Sequence, residues 1–194
     1  MKYKIDKIKS KKNKTPIVCL TAYSKSIAKI LDKYCDIVLV GDSLGNALYG
    51  MKNTHSVTKE MMINHAISVK KGLSKALCVV DMPKNTYNSP NEAKKNAQQI
   101  IQRSKCEAVK IESNKKNYNI IKHLVRSKIN VAGHIGFTPQ HSSKFKVKGK
   151  SILEEKKLIK EAIKIEEAGA FCIILECISA ETSKKLLDCL RFQQ

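Results

Sequence analysis

Arginine is almost missing from this chain: of 37 basic residues only Arg103, Arg126 and Arg191 are not lysine. Aromatic residues make up 5%, and tryptophan is absent. Nucleic-acid recognition relies on bidentate arginine forks and stacked aromatic rings. A formal charge of +20 carried by scattered lysines therefore reads as solvated helix faces, and no nucleic-acid partner is expected. No apolar run reaches eighteen residues, and the basic start MKYKIDKIKSKKNK lacks the apolar stretch of a signal peptide. These absences point to a cytoplasmic protein without a membrane partner. The seven cysteines contain no Cys-x-x-Cys pair, and most fall inside strand or helix patterns. They read as small buried apolar residues in a reducing compartment, with no disulfide or zinc framework. No linker rich in Gly, Pro or Ser interrupts the chain, so residues 1–194 are expected to form a single domain with 1–14 as a basic lead.

What the chain does have is one sentence repeated. The run Ile37 to Val40 passes through Gly41 into Asp42 and Ser43; ALCVVD ends at Asp81, EAVKIE at Glu112, INVAGH at His134 and FCIILE at Glu176. Unbroken apolar runs of this length are strands buried on both faces, and each delivers a polar group at its carboxyl end. A shorter strand, Ile17 to Leu20, precedes them. Between the strands lie helical patterns: Ile27, Ile30, Leu31 and Tyr34 at helical spacing, a segment from about Val57 to Lys71 stopped by Gly72, and capping boxes at Ser89–Glu92 and Ser151–Glu154. A last helix spans about Ser179 to Leu190. Residues 41–57 read as a glycine-containing loop, and Ile5 with Ile8 mark a short helix that lies across the bottom of the domain.

Unbroken strand–helix alternation allows an open doubly wound sheet or a (β/α)8 barrel. In an open sheet a site forms at one switch point between two strands. Five successive strands each ending in a functional residue can converge only around a ring, which favours the barrel.

The runs VGDSLG (Val40 to Gly45), VVDMP (Val79 to Pro83), VKIE (Val109 to Glu112), GHIGFTPQ (Gly133 to Gln140), EEAGA and ILEC (Ile174 to Cys177) resemble, in order and spacing, the ketopantoate hydroxymethyltransferases. The resemblance runs from about Thr15 to about Leu190. It implies a (β/α)8 TIM barrel that uses Mg²⁺ to transfer a one-carbon unit from 5,10-methylenetetrahydrofolate to 3-methyl-2-oxobutanoate, giving 2-dehydropantoate in pantothenate biosynthesis. The family's metal carboxylates carry over to Asp42, Asp81 and Glu112. Its substrate contacts carry over to Asp42, Ser43, Asp81 and Lys110, with His134 also beside the substrate, and its proton acceptor carries over to Glu176. A homo-oligomer is implied for the complete protein. The family's seventh and eighth strands have no counterpart here, so the expected barrel is incomplete, with about six βα units, and the chain on its own is expected to be an inactive fragment.

Such residue types suit such chemistry. A 2-oxo acid chelates a hard divalent cation, which prefers a few carboxylates plus waters and substrate oxygens. Lys110 offsets negative charge developing at the keto oxygen, and a carboxylate shielded from water suits proton abstraction. Glu176, between Leu175 and Cys177, reads as the acid in the most apolar setting. Plainer roles stand beside these: a strand-end acid often caps the next helix, Lys110 fits a lysine snorkelling from a sheet edge, and a lone histidine is commonly structural. Two other function classes stay open: another Mg²⁺-dependent 2-oxo acid enzyme of the phosphoenolpyruvate mutase/isocitrate lyase barrel class, and a non-catalytic basic binding protein.

Overall fold

The computed structural model describes residues 2–114, 117–142 and 144–192. Six strands, β1 (Cys19–Thr21), β2 (Ile37–Val40), β3 (Leu77–Asp81), β4 (Ala108–Glu112), β5 (Val131–Gly136) and β6 (Cys172–Glu176), form one sheet in sequence order, every neighbouring pair parallel. The helices are α1 (Lys2–Ser10), α2 (Lys25–Leu31), α3 (Leu44–Tyr49), α4 (Lys59–Lys70), α5 (Pro90–Ser104), α6 (Tyr118–Arg126), α7 (Ile152–Glu167) and α8 (Ala180–Cys189), with a single 3₁₀ turn at Thr54–Ser56. A strand order without reversal has no switch point, and crossovers of one hand put all connecting helices on one face. The doubly wound alternative is thereby set aside. The sheet is an arc of a (β/α)8 barrel, six strands long, with β1 and β6 at its two ends.

Period-two alternation divides the core into two parts. Val38, Val40, Cys78, Val80, Val109, Ile111, Val131 and Ile135 face the helices and pack with Met62, Ile63, Val69, Ile100, Ile121, Leu124 and Ile165. The alternate residues Ile37, Leu77, Val79, Ala108 and Ala132 face the inside, where Ile5 and Ile8 of α1 close the floor together with Phe171. Polar contacts fix α1 there. Lys4 donates to the Ala76 carbonyl at 2.9 Å and pairs with Glu107 at 3.3 Å, while Lys11 pairs with Asp36 at 2.7 Å. All three partners precede strands, so α1 plugs the amino-terminal mouth, as its two isoleucines led one to expect.

Caps read from the sequence are in place: Ser89 Oγ accepts from Glu92 N and Ser151 Oγ accepts from Glu154 N. Four expectations need correction. The loop after β2 contains α3, too short to show a hydrophobic period and closed by Gly50 in the left-handed region (φ 63°). β1 lies two residues further on than Ile17, and Cys19, Leu20 and Thr21 are all exposed, as befits a sheet end. Gly72 stops no helix by its φ; a Cβ there would lie 2.4 Å from the Lys25 carbonyl, so glycine is what lets α4 close on α2. Among the cysteines all seven are free, but Cys19 and Cys189 are exposed, so burial is not their common property. No described helix is long and apolar enough to cross a membrane.

Two consequences can be measured. Gly72→Ala sets a methyl against backbone that has nowhere to move, and urea unfolding is expected to show a loss of roughly 1–3 kcal/mol. Asp32, at the end of α2, accepts from Ser74 Oγ (2.6 Å) and from the backbone N–H groups of Ser74, Lys75 and Ala76 (3.1, 2.8 and 2.8 Å). Burial works against its charge, yet these donors outweigh it and hold the carboxyl down at about 2, against an ordinary 3.8. Because the folded value is the lower, this stabilisation is complete above the unfolded value and is lost as pH falls from there through the folded one. Asp32→Ala is expected to cost roughly 2–3 kcal/mol near neutral pH, with the gap to the unchanged protein narrowing below about pH 4.

Candidate active site

The inner face that is apolar at the floor turns polar at the carboxyl end, on the same alternation. In β3 the inward series Leu77, Val79 continues to Asp81; in β4 Ala108 leads to Lys110 and Glu112; in β5 Ala132 leads to His134. β5 is longer than the sequence suggested, so His134 lies inside the strand and pairs in register with Glu112, as Asp81 does with Lys110. Asp42 follows β2 by two residues, and its backbone N–H donates to Asp81 Oδ2 at 3.1 Å. At the intervening Gly41 a Cβ would stand 2.9 Å from Ser43 Oγ but only in ordinary contact, 3.6 Å, with the Asp81 oxygen. Asp42, Asp81, Lys110, Glu112 and His134 are all buried, none more than 5% exposed.

Lys110 Nζ lies 2.6 Å from Asp81 Oδ1. Burial opposes the lysine's charge, but Asp81 and then Asp42 hold its pKa above the ordinary value, so it is an ammonium at any physiological pH. One ammonium does not balance three buried acids. Burial, then Asp81, pushes Asp42 up to about 7. Glu112 rises to about 8, chiefly through burial, with Lys110 pulling the other way. His134 Nε2 is 3.1 Å from Glu176 Oε2 and Nδ1 is 3.8 Å from Glu112 Oε1. Burial and then Lys110 lower its pKa, so the ring is neutral.

Two expected site residues sit differently from the buried set. Ser43 is exposed, its hydroxyl 2.8 Å from that of Tyr23. Glu176 is 39% exposed at the side chain, which corrects the expectation that it occupies the most apolar setting. Leu175, its apolar neighbour in sequence, packs on the helix side of the sheet. In a strand, adjacent residues point to opposite faces, so Leu175 says nothing about the surroundings of Glu176.

One residue was not anticipated. Gln140, 1% exposed, donates its backbone N–H to Glu112 Oε2 (3.0 Å) and its side-chain Nε2 to Asp42 Oδ2 (2.7 Å) and to the Met82 carbonyl (3.0 Å). The Tyr87 hydroxyl donates to its Oε1. An amide carries no ionisable chemistry to draw the eye, and its only sequence signal is its place at the end of the GHIGFTPQ run.

Asp42, Asp81 and Glu112 offer a hard divalent cation a donor set made of oxygen alone, on one face, with too little positive charge nearby. Asp81 Oδ1 also has no well-aligned hydrogen-bond partner, and neither has either ring nitrogen of His134. Among the described residues no group of three or more His, Cys, Asp or Glu side chains stands as placed to hold a metal ion by itself. Mg²⁺ keeps several waters and substrate oxygens, so a partial set of carboxylates suits it.

The family model for ketopantoate hydroxymethyltransferase matches residues 2–192. Over 186 residues the chain is 50% identical to 3-methyl-2-oxobutanoate hydroxymethyltransferase of Pelagibacter ubique (strain HTCC1062), covering 96% of this chain and 72% of that protein. The protein of the same name from Anaplasma marginale (strain St. Maries) is 45% identical over 182 residues, covering 92% and 66%. The chain thus spans roughly two thirds to seven tenths of the length of these relatives. Among solved structures, 2,3-dimethylmalate lyase, a PEP mutase/isocitrate lyase superfamily member, superposes with a TM-score of 0.70 at 15% identity, covering 96% of this chain and 68% of that one. Phosphonopyruvate hydrolase in complex with oxalate and Mg²⁺ superposes at 0.69 and 11% identity, covering 96% and 67%. Those two likenesses concern the fold alone. On the family match and the identity to its curated members, the chain belongs to the ketopantoate hydroxymethyltransferase family.

Proposed function

We propose that the carboxyl-end cluster serves hydroxymethyl transfer from 5,10-methylenetetrahydrofolate to 3-methyl-2-oxobutanoate, giving 2-dehydropantoate for pantothenate biosynthesis in the cytoplasm. The observation that carries this reading is the buried set Asp42, Asp81, Glu112 and Lys110 on the inner face, one ammonium against three acids. Mg²⁺, held by Asp42, Asp81 and Glu112, would supply polarisation of the keto group and neutralise charge that develops on its oxygen. Phosphonopyruvate hydrolase, whose fold this chain shares, has been solved in complex with oxalate and Mg²⁺, and oxalate has paired oxygens like those of a 2-oxo acid.

The chain's own residues do the rest. Lys110, kept charged by Asp81 and Asp42, sits where negative charge grows as C3 of the substrate loses its proton. Glu176 accepts that proton. The neutral His134 ring, its Nε2 3.1 Å away, lies beside the carboxylate without competing for the proton. The exposed Ser43 hydroxyl is free to meet the substrate from the rim. The enolate carbon bonds to the folate-borne methylene carbon, water supplies the hydroxyl, and both C–N bonds of the methylene break, N5 and N10 of the departing tetrahydrofolate taking the proton held by Glu176 and one from water.

Exchange of the C3 hydrogen of 3-methyl-2-oxobutanoate with D2O, followed by NMR with Mg²⁺ present, tests the enolate step without the folate. Glu176→Gln is expected to slow that exchange on the order of 10²-fold or more while leaving substrate and Mg²⁺ binding nearly intact. Unchanged exchange would move the base to another residue, His134 being next in line. A second expectation concerns β6, an end of the sheet, where Glu176 loses the enclosure that shields a catalytic carboxylate from water. The 194-residue chain by itself is therefore expected to complete the whole transfer weakly or not at all. Full turnover by a monomer with one cooperative melt would sink that expectation.

A further inference from the structure

Gln140 ties two acids of the cluster, Asp42 and Glu112, to the loop after β3. Its two side-chain N–H groups go to Asp42 Oδ2 and the Met82 carbonyl, its Oε1 takes the Tyr87 proton, and its backbone N–H goes to Glu112 Oε2. No donor is left over. The sense of the amide is fixed by this surrounding: reversed, its oxygen would face the Asp42 carboxylate and the Met82 carbonyl, acceptor against acceptor. Tyr87 enforces the observed sense, because burial raises its pKa and keeps the hydroxyl a donor. The turn that carries Gln140 is itself fastened. His141 N and Ser142 N donate to the Thr138 carbonyl at 2.9 Å each, and His55 Nε2 lies 3.2 Å from the Pro139 carbonyl.

We propose that Gln140 is a positioning residue for cation binding, holding Asp42 and Glu112 in the orientation that receives a divalent cation, with Tyr87 setting the sense of its amide. The proposal rests on the metal-binding reading above. A carboxylate has about four lone-pair directions, so one donor from Gln140 fixes the plane of Asp42 and leaves oxygen free for the ion. Groups that orient metal ligands in this way change metal affinity about 10- to 100-fold when removed. The opposite arrangement is physically available: a donor lodged on Asp42 that must be displaced by the cation. The two differ in sign.

The test is Mn²⁺ affinity of the 194-residue chain by electron paramagnetic resonance, with Mg²⁺ as competitor, for Gln140→Leu, Tyr87→Phe and the double variant. Gln140→Leu keeps the volume and removes the side-chain hydrogen bonds, and is expected to weaken binding about 10- to 100-fold. Tyr87→Phe is expected to weaken it in the same direction by a smaller factor. The double variant should bind no more weakly than Gln140→Leu, because Tyr87 acts through the amide. Should Gln140→Leu fail to fold by its thermal melt, Tyr87→Phe decides alone, and unchanged affinity there overturns the proposal. Equal or tighter Mn²⁺ binding in a folded Gln140→Leu also overturns it, as do independent, multiplying losses in the double variant. An unchanged chain that binds no Mn²⁺ overturns this proposal and the metal-binding reading together, whereas binding that is equal in all variants overturns this proposal alone.

Discussion

Everything at the carboxyl end of this sheet depends on a buried ammonium 2.6 Å from a buried carboxylate, Lys110 against Asp81. The two are register partners on adjacent parallel strands, so the sheet itself sets their spacing. A buried ion pair is seldom a net source of stability, because taking both charges out of water costs several kcal/mol each and their attraction barely repays it. Its value here is electrostatic placement. Burial drives the remaining acids Asp42 and Glu112 toward their protonated forms, and Lys110, paired with Asp81, offsets this only in part. The cluster is under-compensated by construction, and a divalent cation is the partner that would restore balance.

That imbalance is tolerable only because the opposite end of the same face is well packed. The floor formed by Ile37, Leu77, Ala108, Ala132 and Phe171 is closed by Ile5 and Ile8. Lys4 of α1 and Lys11 just after it are spent on the Ala76 carbonyl, Glu107 and Asp36 at the strand starts. Stability is thus concentrated at one end of the strands and strained electrostatics at the other, the usual division in barrels of this type. The helix-side core serves both ends. Gly133 contributes to it by absence of a side chain, for a Cβ there would meet Ile165 at 2.5 Å.

Strands buried on both faces announce themselves as unbroken apolar runs, which is why five of the six were legible with their polar endings. Legibility failed where the signal was not hydrophobic. The helix α3 is six residues long, too short for a period to emerge. Gly72 looked like a stop signal, although its work is a close approach between two helices that are distant in sequence. Glu176 was judged by its neighbours along the chain, which in a strand is the wrong direction, since Leu175 belongs to the other face. Gln140 could not be found by ionisable chemistry, because its role lies in four hydrogen bonds whose partners are spread from Asp42 to Glu112.

The difference between the two ends of the arc follows from the same geometry. A barrel abolishes its strand edges by closing; an arc of six keeps β1 and β6 as ends. β1 carries no member of the acid cluster, so its exposure costs apolar burial, with Leu20 half exposed, but costs little at the site itself. β6 carries Glu176. There the open edge reaches the proposed base, whose side chain is 39% exposed, against 1% for His134 beside it. The neutral His134 beneath it is 1% exposed and cannot extend that shielding outward, since it lies on the inner neighbour β5. The buried acid cluster is therefore built wholly on β2 to β4 and the Gln140 turn, whereas Glu176 stands on the strand at the end of the arc. On the proposed assignment, cation binding and proton transfer are separable along the sheet, the first set by interior strands and the second by the strand at its end.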